Sequence, residues 1–209
     1  MKKNITLVIG FVLWCTSTAT AQETATTMET FLGYTFTRFN SATNLPAFNA
    51  NGGSAQFVYN FSNWIGVVAD LGAVHNGNIH NIHLDSTLTN FLLGPRIAFR
   101  KWSRMSPYFQ ALFGGVYGTT STAVDLSLLT TGGVLIPPGN ILRATRAQTA
   151  FGMTVGGGLD IKVSKHVSFR PIQLEYLLTQ LRNPVTDDRN NQNNLRYSAG
   201  VNFTFGEAR

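Results

Sequence analysis

The chain has 209 residues, a formal net charge of +6 and a charged fraction of only 12%. That fraction is about half that of an ordinary soluble domain, and the basic residues form no run or aromatic–basic stripe, so nucleic acid is excluded as an expected partner. The single cysteine, Cys15, excludes an internal disulfide framework.

At the N-terminus, Lys2 and Lys3 precede an apolar run from Ile5 to Trp14, and Ala19-Thr20-Ala21 follows. A charged n-region, an apolar h-region and an A-x-A site make a secretory signal peptide, residues 1–21, cut before Gln22. The run is half of the roughly 20 residues that a spanning helix needs. Trp14 occupies the place where a lipoprotein signal carries a small residue before Cys15. The expected mature chain is one exported, cysteine-free domain over 22–209.

Beyond residue 22 the apolar period is two, the signature of strands. Strand one, near 29–39, sets Leu32, Tyr34 and Phe36 against Gly33, Thr35 and Thr37. The second, near 53–61, sets Ala55, Phe57, Tyr59 and Phe61 against Ser54, Gln56 and Asn60. The third, near 64–75, sets Ile65, Val67, Ala69 and Leu71 against Gly66, Asp70 and Gly72. The fourth, near 86–100, sets Phe91, Leu93, Pro95, Ile97 and Phe99 against Asn90, Gly94, Arg96 and Arg100.

The second half repeats the scheme. Strand five, near 108–118, sets Phe109, Ala111, Phe113 and Tyr117 against Gln110, Gly114 and Gly118. The sixth, near 148–163, sets Phe151, Met153, Val155, Leu159 and Ile161 against Gly152, Thr154, Gly156, Gly158, Asp160 and Lys162. The seventh, near 167–181, sets Ile172, Leu174, Tyr176 and Leu178 against Gln173, Glu175 and Thr179. Arg170 is out of phase with Gln173, and Pro171 between them cannot donate to a ladder, which points to a bulge. The eighth, near 195–205, sets Leu195, Tyr197, Ala199, Val201, Phe203 and Phe205 against Arg196, Ser198, Gly200, Asn202 and Thr204.

One face is bulky and apolar throughout, and the other is small and polar. In a soluble sandwich the bulky face would fill the core. Here the small polar face fits a narrow lumen and the bulky face fits lipid, as in membrane barrels with segments of about 10 alternating residues. Closure follows, because an open edge in lipid leaves backbone groups unpaired. The links after strands two, four and six are short, and those near 40–52, 76–85, 119–147 and 182–194 are longer. Short periplasmic turns alternating with longer external loops give the same architecture independently. Trp64, Trp102, Tyr108 and Phe169 lie beside the short turns, where an interfacial aromatic belt is expected. The expected fold class is all-β: a closed antiparallel eight-stranded transmembrane β-barrel.

These residues carry a resemblance. The GYTF of strand one (Gly33 to Phe36), the LLGPRIAFR of strand four and the closing VNFTF resemble the eight-stranded outer-membrane β-barrel family, similar to the OmpA and OmpX transmembrane domains, over the whole mature chain. The resemblance implies a Gram-negative-type outer membrane and export through the inner membrane. It also implies assembly by the barrel-assembly machinery, which reads a terminal aromatic. Here Phe203 and Phe205 match that signal, and Gly206 to Arg209 follow it, a departure from a strictly terminal Phe. The peptidoglycan-anchoring role of longer relatives is not implied.

Several groups of residues have the types that candidate chemistry needs. His75, His80, His83 and Asp85 have the donor types of a divalent-metal site, but they sit in an Asn/Gly loop with no orienting groups, so no metal is expected. Ser86 and Ser121, with His75 and Asp85 or Asp125, hold the residue types of a nucleophile, base and orienter. Nothing in the spacing unites them, and no G-x-S-x-G elbow occurs. Gly156-Gly157-Gly158 lies within a strand with no helix after it, so it is not a phosphate cradle. Asn60-Phe-Ser and Asn202-Phe-Thr match a glycosylation pattern by chance, both asparagines being lumenal by phase.

The inward charges are Asp70, Arg96, Arg100, Asp160, Lys162, Glu175 and Arg196. Unpaired charge is intolerable in a low-dielectric lumen, so an ion-pair network is expected to fill the bore and fix register. Counting from the strand bases at Trp64 and Arg100 pairs Asp70 diagonally with Arg96. By the same phase, arginine at Val201 or Phe203 is expected to block assembly, while Asn202→Ala is expected to be mild. The expected protein is non-enzymatic and cofactor-free, surrounded by outer-membrane lipid. Its structural or surface-interaction role is carried by external loops. The loop 119–147, with its apolar Val124 to Leu129 and GGVLIPPGNIL stretches, is the expected contact for an extracellular protein or lipid partner. The alternatives are a lipid-modifying enzyme of the lipid A deacylase or acyltransferase type, and a narrow channel kept open by the glycines of strand six.

Overall fold

The computed structural model describes residues 27–40, 47–77, 84–125, 141–181 and 191–206. Eight strands run in chain order: β1 Thr27–Phe39, β2 Phe48–Asn60, β3 Ile65–Asn76, β4 Leu84–Ala98, β5 Met105–Asp125, β6 Ile141–Lys162, β7 Val167–Thr179 and β8 Gln192–Phe205. Each pairs antiparallel with its chain neighbours, and β1 pairs with β8 from Met28↔Phe205 to Arg38↔Leu195, closing the barrel. Closure leaves no edge to face lipid, the condition that a spanning sheet must meet.

The alternation sorts the side chains as the period demands. Leu32, Phe57, Phe91, Phe113, Phe151 and Leu195 are among the large apolar residues exposed on the outer wall. Asp70, Gln56, Gln110, Glu175, Arg196 and Asn202 on the alternate phase are buried. The bulge expected at Pro171 is present: the β7–β8 register shifts between Arg170 and Gln173, and both side chains point to the buried side. The same extra residue of β7 shifts its register with β6, between Leu159↔Ile172 and Ile161↔Phe169. One extra residue in β7 lets Arg170 share the lumen with Gln173.

Three expectations are corrected. β2 begins at Phe48 rather than near 53, and pairs with β1 up to Phe39↔Phe48, so the first external connection is shorter than read. The expected loop 119–147 is sheet at both of its ends: β5 and β6 stay paired from Thr119↔Ala147 to Asp125↔Ile141. β4 accompanies this ribbon only to Thr122, and β7 leaves β6 at Gly152. Finally, Asp70 stands opposite Leu92 and Arg96 opposite Gly66, two residues away from the expected register. Ile65 stands opposite Ile97 and the Ala98 amide donates to the Trp64 carbonyl, so Trp64 faces Ala98 and the tally that paired it with Arg100 started two residues too far along β4.

The inward face is not uniformly polar either. Near the external end, Phe39, Ala50, Val74, Leu88, Val116, Leu177 and Leu181 form a buried apolar cluster, with Phe48 and Ala150 packed on it. Val58, Val68, Leu92 and Leu112 form a second cluster against the β2–β5 wall. Phe39 and Phe48, opposite each other in register, stack at 4.9 Å between centroids.

Candidate functional site: the lumenal network

A charged side chain enclosed by the bore must find its partners inside, because a buried ion left unpaired is heavily penalised. Three levels do this along the bore. At the periplasmic end, Glu29 accepts hydrogen bonds from Asn60 Nδ2 at 2.9 Å, from Asn202 Nδ2 at 3.0 Å and from Arg100. Arg100 also donates to Asn60 Oδ1 at 3.1 Å and to the Asn63 carbonyl at 3.0 Å.

At the middle level, Arg96 donates through Nε and Nη2 to Gln110 Oε1, at 2.9 and 2.7 Å, and through Nη2 to Gln56 Oε1 at 2.7 Å. Its nearest carboxylate is Glu29, at 3.8 Å. Arg170 grips Asp160 with two bonds, at 2.6 and 3.0 Å, and also donates to Gln56 and Gln173. Both guanidiniums lie over the Tyr108 ring, Arg96 at 4.1 Å and Arg170 at 4.5 Å from its centroid. Arg170 also lies 4.3 Å from the Phe31 centroid. Desolvated cation–π contacts of this kind are worth about 2 kcal/mol. Tyr108 completes the level by donating its hydroxyl to Gln173 Oε1 at 2.7 Å.

At the third level, Arg196 bridges two acids: Asp70 Oδ2 at 2.8 Å and Glu175 Oε2 at 2.5 Å. Asp70 further accepts from Gln56 and Asn90, and Glu175 from Gln110. The glutamines tie the levels together. Gln56 accepts from Arg96 and Arg170 while donating to Asp70, and Gln110 accepts from Arg96 while donating to Glu175. Above this level Thr35 bonds Ser54 and Ser198, at 2.7 and 2.9 Å, and the apolar cluster follows.

Of the residues read as inward charges, Asp70, Arg96, Asp160, Glu175 and Arg196 are buried, and Arg100 is partly so. Asp70 and Arg96 are joined only through Gln56, not as the expected ion pair. Lys162 departs from the expectation: it is exposed at the periplasmic end, beyond the last lumenal level. Tyr108 departs as well, being buried in the lumen rather than standing in the interfacial belt, whereas Trp64, Trp102 and Phe169 are exposed. Sequence reasoning missed Glu29, although it shares the odd phase of Gly33 and Thr35. It also missed the inward role of Arg170, which the bulge brings about. The glycines of β6 are space for neighbours: a Cβ on Gly158 would lie 2.6 Å from the Tyr108 hydroxyl.

The remaining candidates gather into no constellation. His75 Nδ1 shares a hydrogen bond with Thr87 Oγ1 at 3.0 Å, and Ser121 shares one with Thr145. Among the described residues no hydrogen bond joins His75 to Ser86, Ser121 or Asp85, and no metal-binding cluster is found. His80 and His83, the signal segment 1–21, the residues after Gly206 and most of the apolar loop stretches lie outside the described residues.

A closed eight-stranded antiparallel barrel with an apolar wall and a polar bore is matched by the family model described as outer membrane protein beta-barrel domain, over residues 7–206. The chain belongs to that family. It is an outer-membrane β-barrel, with short periplasmic turns and longer extracellular connections. A search of curated proteins returns no significant match. Among solved structures, the chain resembles Neisserial surface protein A (NspA), with a TM-score of 0.61 at 17% identity, covering 85% of this chain and 97% of that one. It also resembles Ail, the attachment invasion locus protein of Yersinia pestis, solved in complex with the heparin analogue sucrose octasulfate. There the TM-score is 0.56 at 17% identity, with 86% and 99% coverage. OprG from Pseudomonas aeruginosa matches with a TM-score of 0.50 at 13% identity, with 88% and 98% coverage. At these identities the likeness is one of fold.

Proposed function

We propose that this outer-membrane barrel is a closed, non-enzymatic scaffold that presents its external connections, above all the β5–β6 ribbon and the loop it carries, to an extracellular protein or lipid partner. The observation that supports this reading is the filled bore. Arg96, Arg170 and Arg196 occupy its middle with their acids, and the Phe39–Leu177 cluster caps it externally. An eight-stranded barrel has an interior only wide enough for side chains, so the glycines of β6 are taken up by Tyr108 and its neighbours rather than by water. On this reading residues 1–21 are a cleaved export signal, and Phe203 and Phe205 are the aromatic signal for the assembly machinery.

Planar-bilayer recording tests the closed state: purified barrel is expected to add no steady conductance, and a stable open level would overturn the reading. Mass spectrometry of lipid A from expressing cells separates the enzyme alternative, which requires gain or loss of an acyl chain. Replacing residues 119–147 by a tight turn is expected to leave a folded barrel that no longer binds the surface partner. Sucrose octasulfate, the ligand seen on Ail, is a first soluble probe.

A further inference from the structure

The periplasmic end carries a charge imbalance that the lumen does not absorb. Lys101, Arg104, Lys162 and Lys165 are exposed there, with His166 beside them. Among the described residues no exposed carboxylate shares that end, since Glu29 and Asp160 are buried in the network. The Lys162 amide donates to the Arg104 carbonyl at 2.9 Å, which sets the two residues opposite each other just past the Met105–Ile161 pair. Like charges directly opposite across strands destabilise a sheet. A pair of cations placed this way, with no acid beside them among the described residues, favours an anion from outside the chain.

Next to this pair lies an open cleft of about 370 Å³, lined by Trp102, Ser103, Arg104, Met105, Pro107 and Leu159. Most of its lining is apolar, and Met105 and Trp102 are about half exposed, at 49% and 57%. The cleft is lined by the residues of the β4–β5 turn and the adjoining strand ends, on the short-turn side of the barrel. A cleft of this size with an apolar floor and a cation at its edge suits an amphiphile. A soluble polyanion would need the charges and not the apolar floor.

We infer that the β4–β5 turn and the adjoining ends of β5 and β6 form a binding site for an anionic phospholipid of the inner leaflet, its phosphate at Arg104 and Lys162 and its acyl chain along Met105, Pro107 and Leu159. Lys101 extends the positive field on the same turn. Trp102 fixes the level of the site, because indole rings settle at the headgroup region. The preference for negative headgroups follows from basic residues near a membrane surface, each worth about a fivefold change in partitioning.

Trp102 provides the reporter. In full chain carrying Trp14→Phe and Trp64→Phe, its fluorescence is read in phosphatidylcholine bilayers containing a small fraction of either brominated phosphatidylglycerol or brominated phosphatidylcholine. The expected result is a relative association constant for the glycerol lipid roughly tenfold above that for the choline lipid, falling to near one in Arg104→Gln/Lys162→Gln. Arg104→Lys should retain most of the preference, and Arg38→Gln, at the external end, all of it. Heat-modifiable migration confirms that each variant is folded. No preference in the parent, or an undiminished one in the folded double variant, overturns the site. So does charge-dependent binding of a soluble anionic glycan with no lipid preference. The inference rests on the short turns facing the periplasm: a Ser103→Cys chain labelled from outside intact cells would sink that orientation instead.

Discussion

The two ends of the bore solve one problem in opposite ways. Both are built from the inward phase of the same eight strands, and both must fill the interior of a narrow barrel. Near the external end Phe39, Val74, Leu88, Val116 and Leu177 meet as a small apolar core. Toward the periplasm four carboxylates, Glu29, Asp70, Asp160 and Glu175, face four guanidiniums, Arg96, Arg100, Arg170 and Arg196, through glutamine and asparagine bridges. The apolar cluster is tolerant, because its contacts are non-directional. The polar network is all-or-none: a charge whose partner is lost remains buried. The lesson is that barrel stability should be graded and local at one end, and coupled across strands at the other.

The largest expected effect comes from breaking the network at its bridge. Arg196→Met leaves Asp70 and Glu175 facing each other in the lumen and is expected to destabilise the barrel by about 3–5 kcal/mol, read by urea unfolding in detergent. Removing all three charges, with Asp70→Asn and Glu175→Gln added, should recover most of that loss. A double-mutant cycle between Asp70 and Arg196 should give a coupling of about 1–3 kcal/mol, whereas one between Asp70 and Arg96, linked only by Gln56, should be smaller. Equal coupling in the two cycles would mean that the levels are not arranged as seen.

A slightly smaller effect tests the wall against the bore. Val201→Arg puts a cation into lipid and should cost about 2–4 kcal/mol if it lies near the midplane, measured as lost assembly into vesicles. The structure revises the expectation for its neighbour. Asn202→Ala removes a donor to the buried Glu29 carboxylate and should cost about 1.5–3 kcal/mol rather than being mild.

In the apolar cap, Leu177→Ala should cost about 2–3 kcal/mol, and the loss should be independent of any network substitution. A strong coupling between Leu177→Ala and Arg196→Met would erase the distinction between the two ends. Smallest is Tyr108→Phe, which keeps the ring under both guanidiniums and loses only the bond to Gln173. About 1 kcal/mol is expected by the same unfolding assay.

The sequence by itself determined the strand count, the two faces and the closure. A period of two exposes alternate residues to opposite sides, and lipid forbids unpaired edges. It also placed Asp70, Arg96, Asp160, Glu175 and Arg196 on the inward phase, and the bulge at Pro171. It could not determine who meets whom across the bore. Phase places Asp70 and Arg96 on one face, but a two-residue change of register separates them, and the partner of Asp70 is Arg196 from the far side of the closed sheet. Tyr108 and Lys162 show the other limit. Each shares the inward phase at the end of a strand, where phase alone does not say whether the lumen is still enclosed. Gly158 makes room for the Tyr108 ring over the neighbouring strand, while Lys162 lies past the last enclosed level and stays in solvent. Those outcomes depend on how far each strand reaches relative to its neighbours, which is a property of the closed barrel and of no single segment.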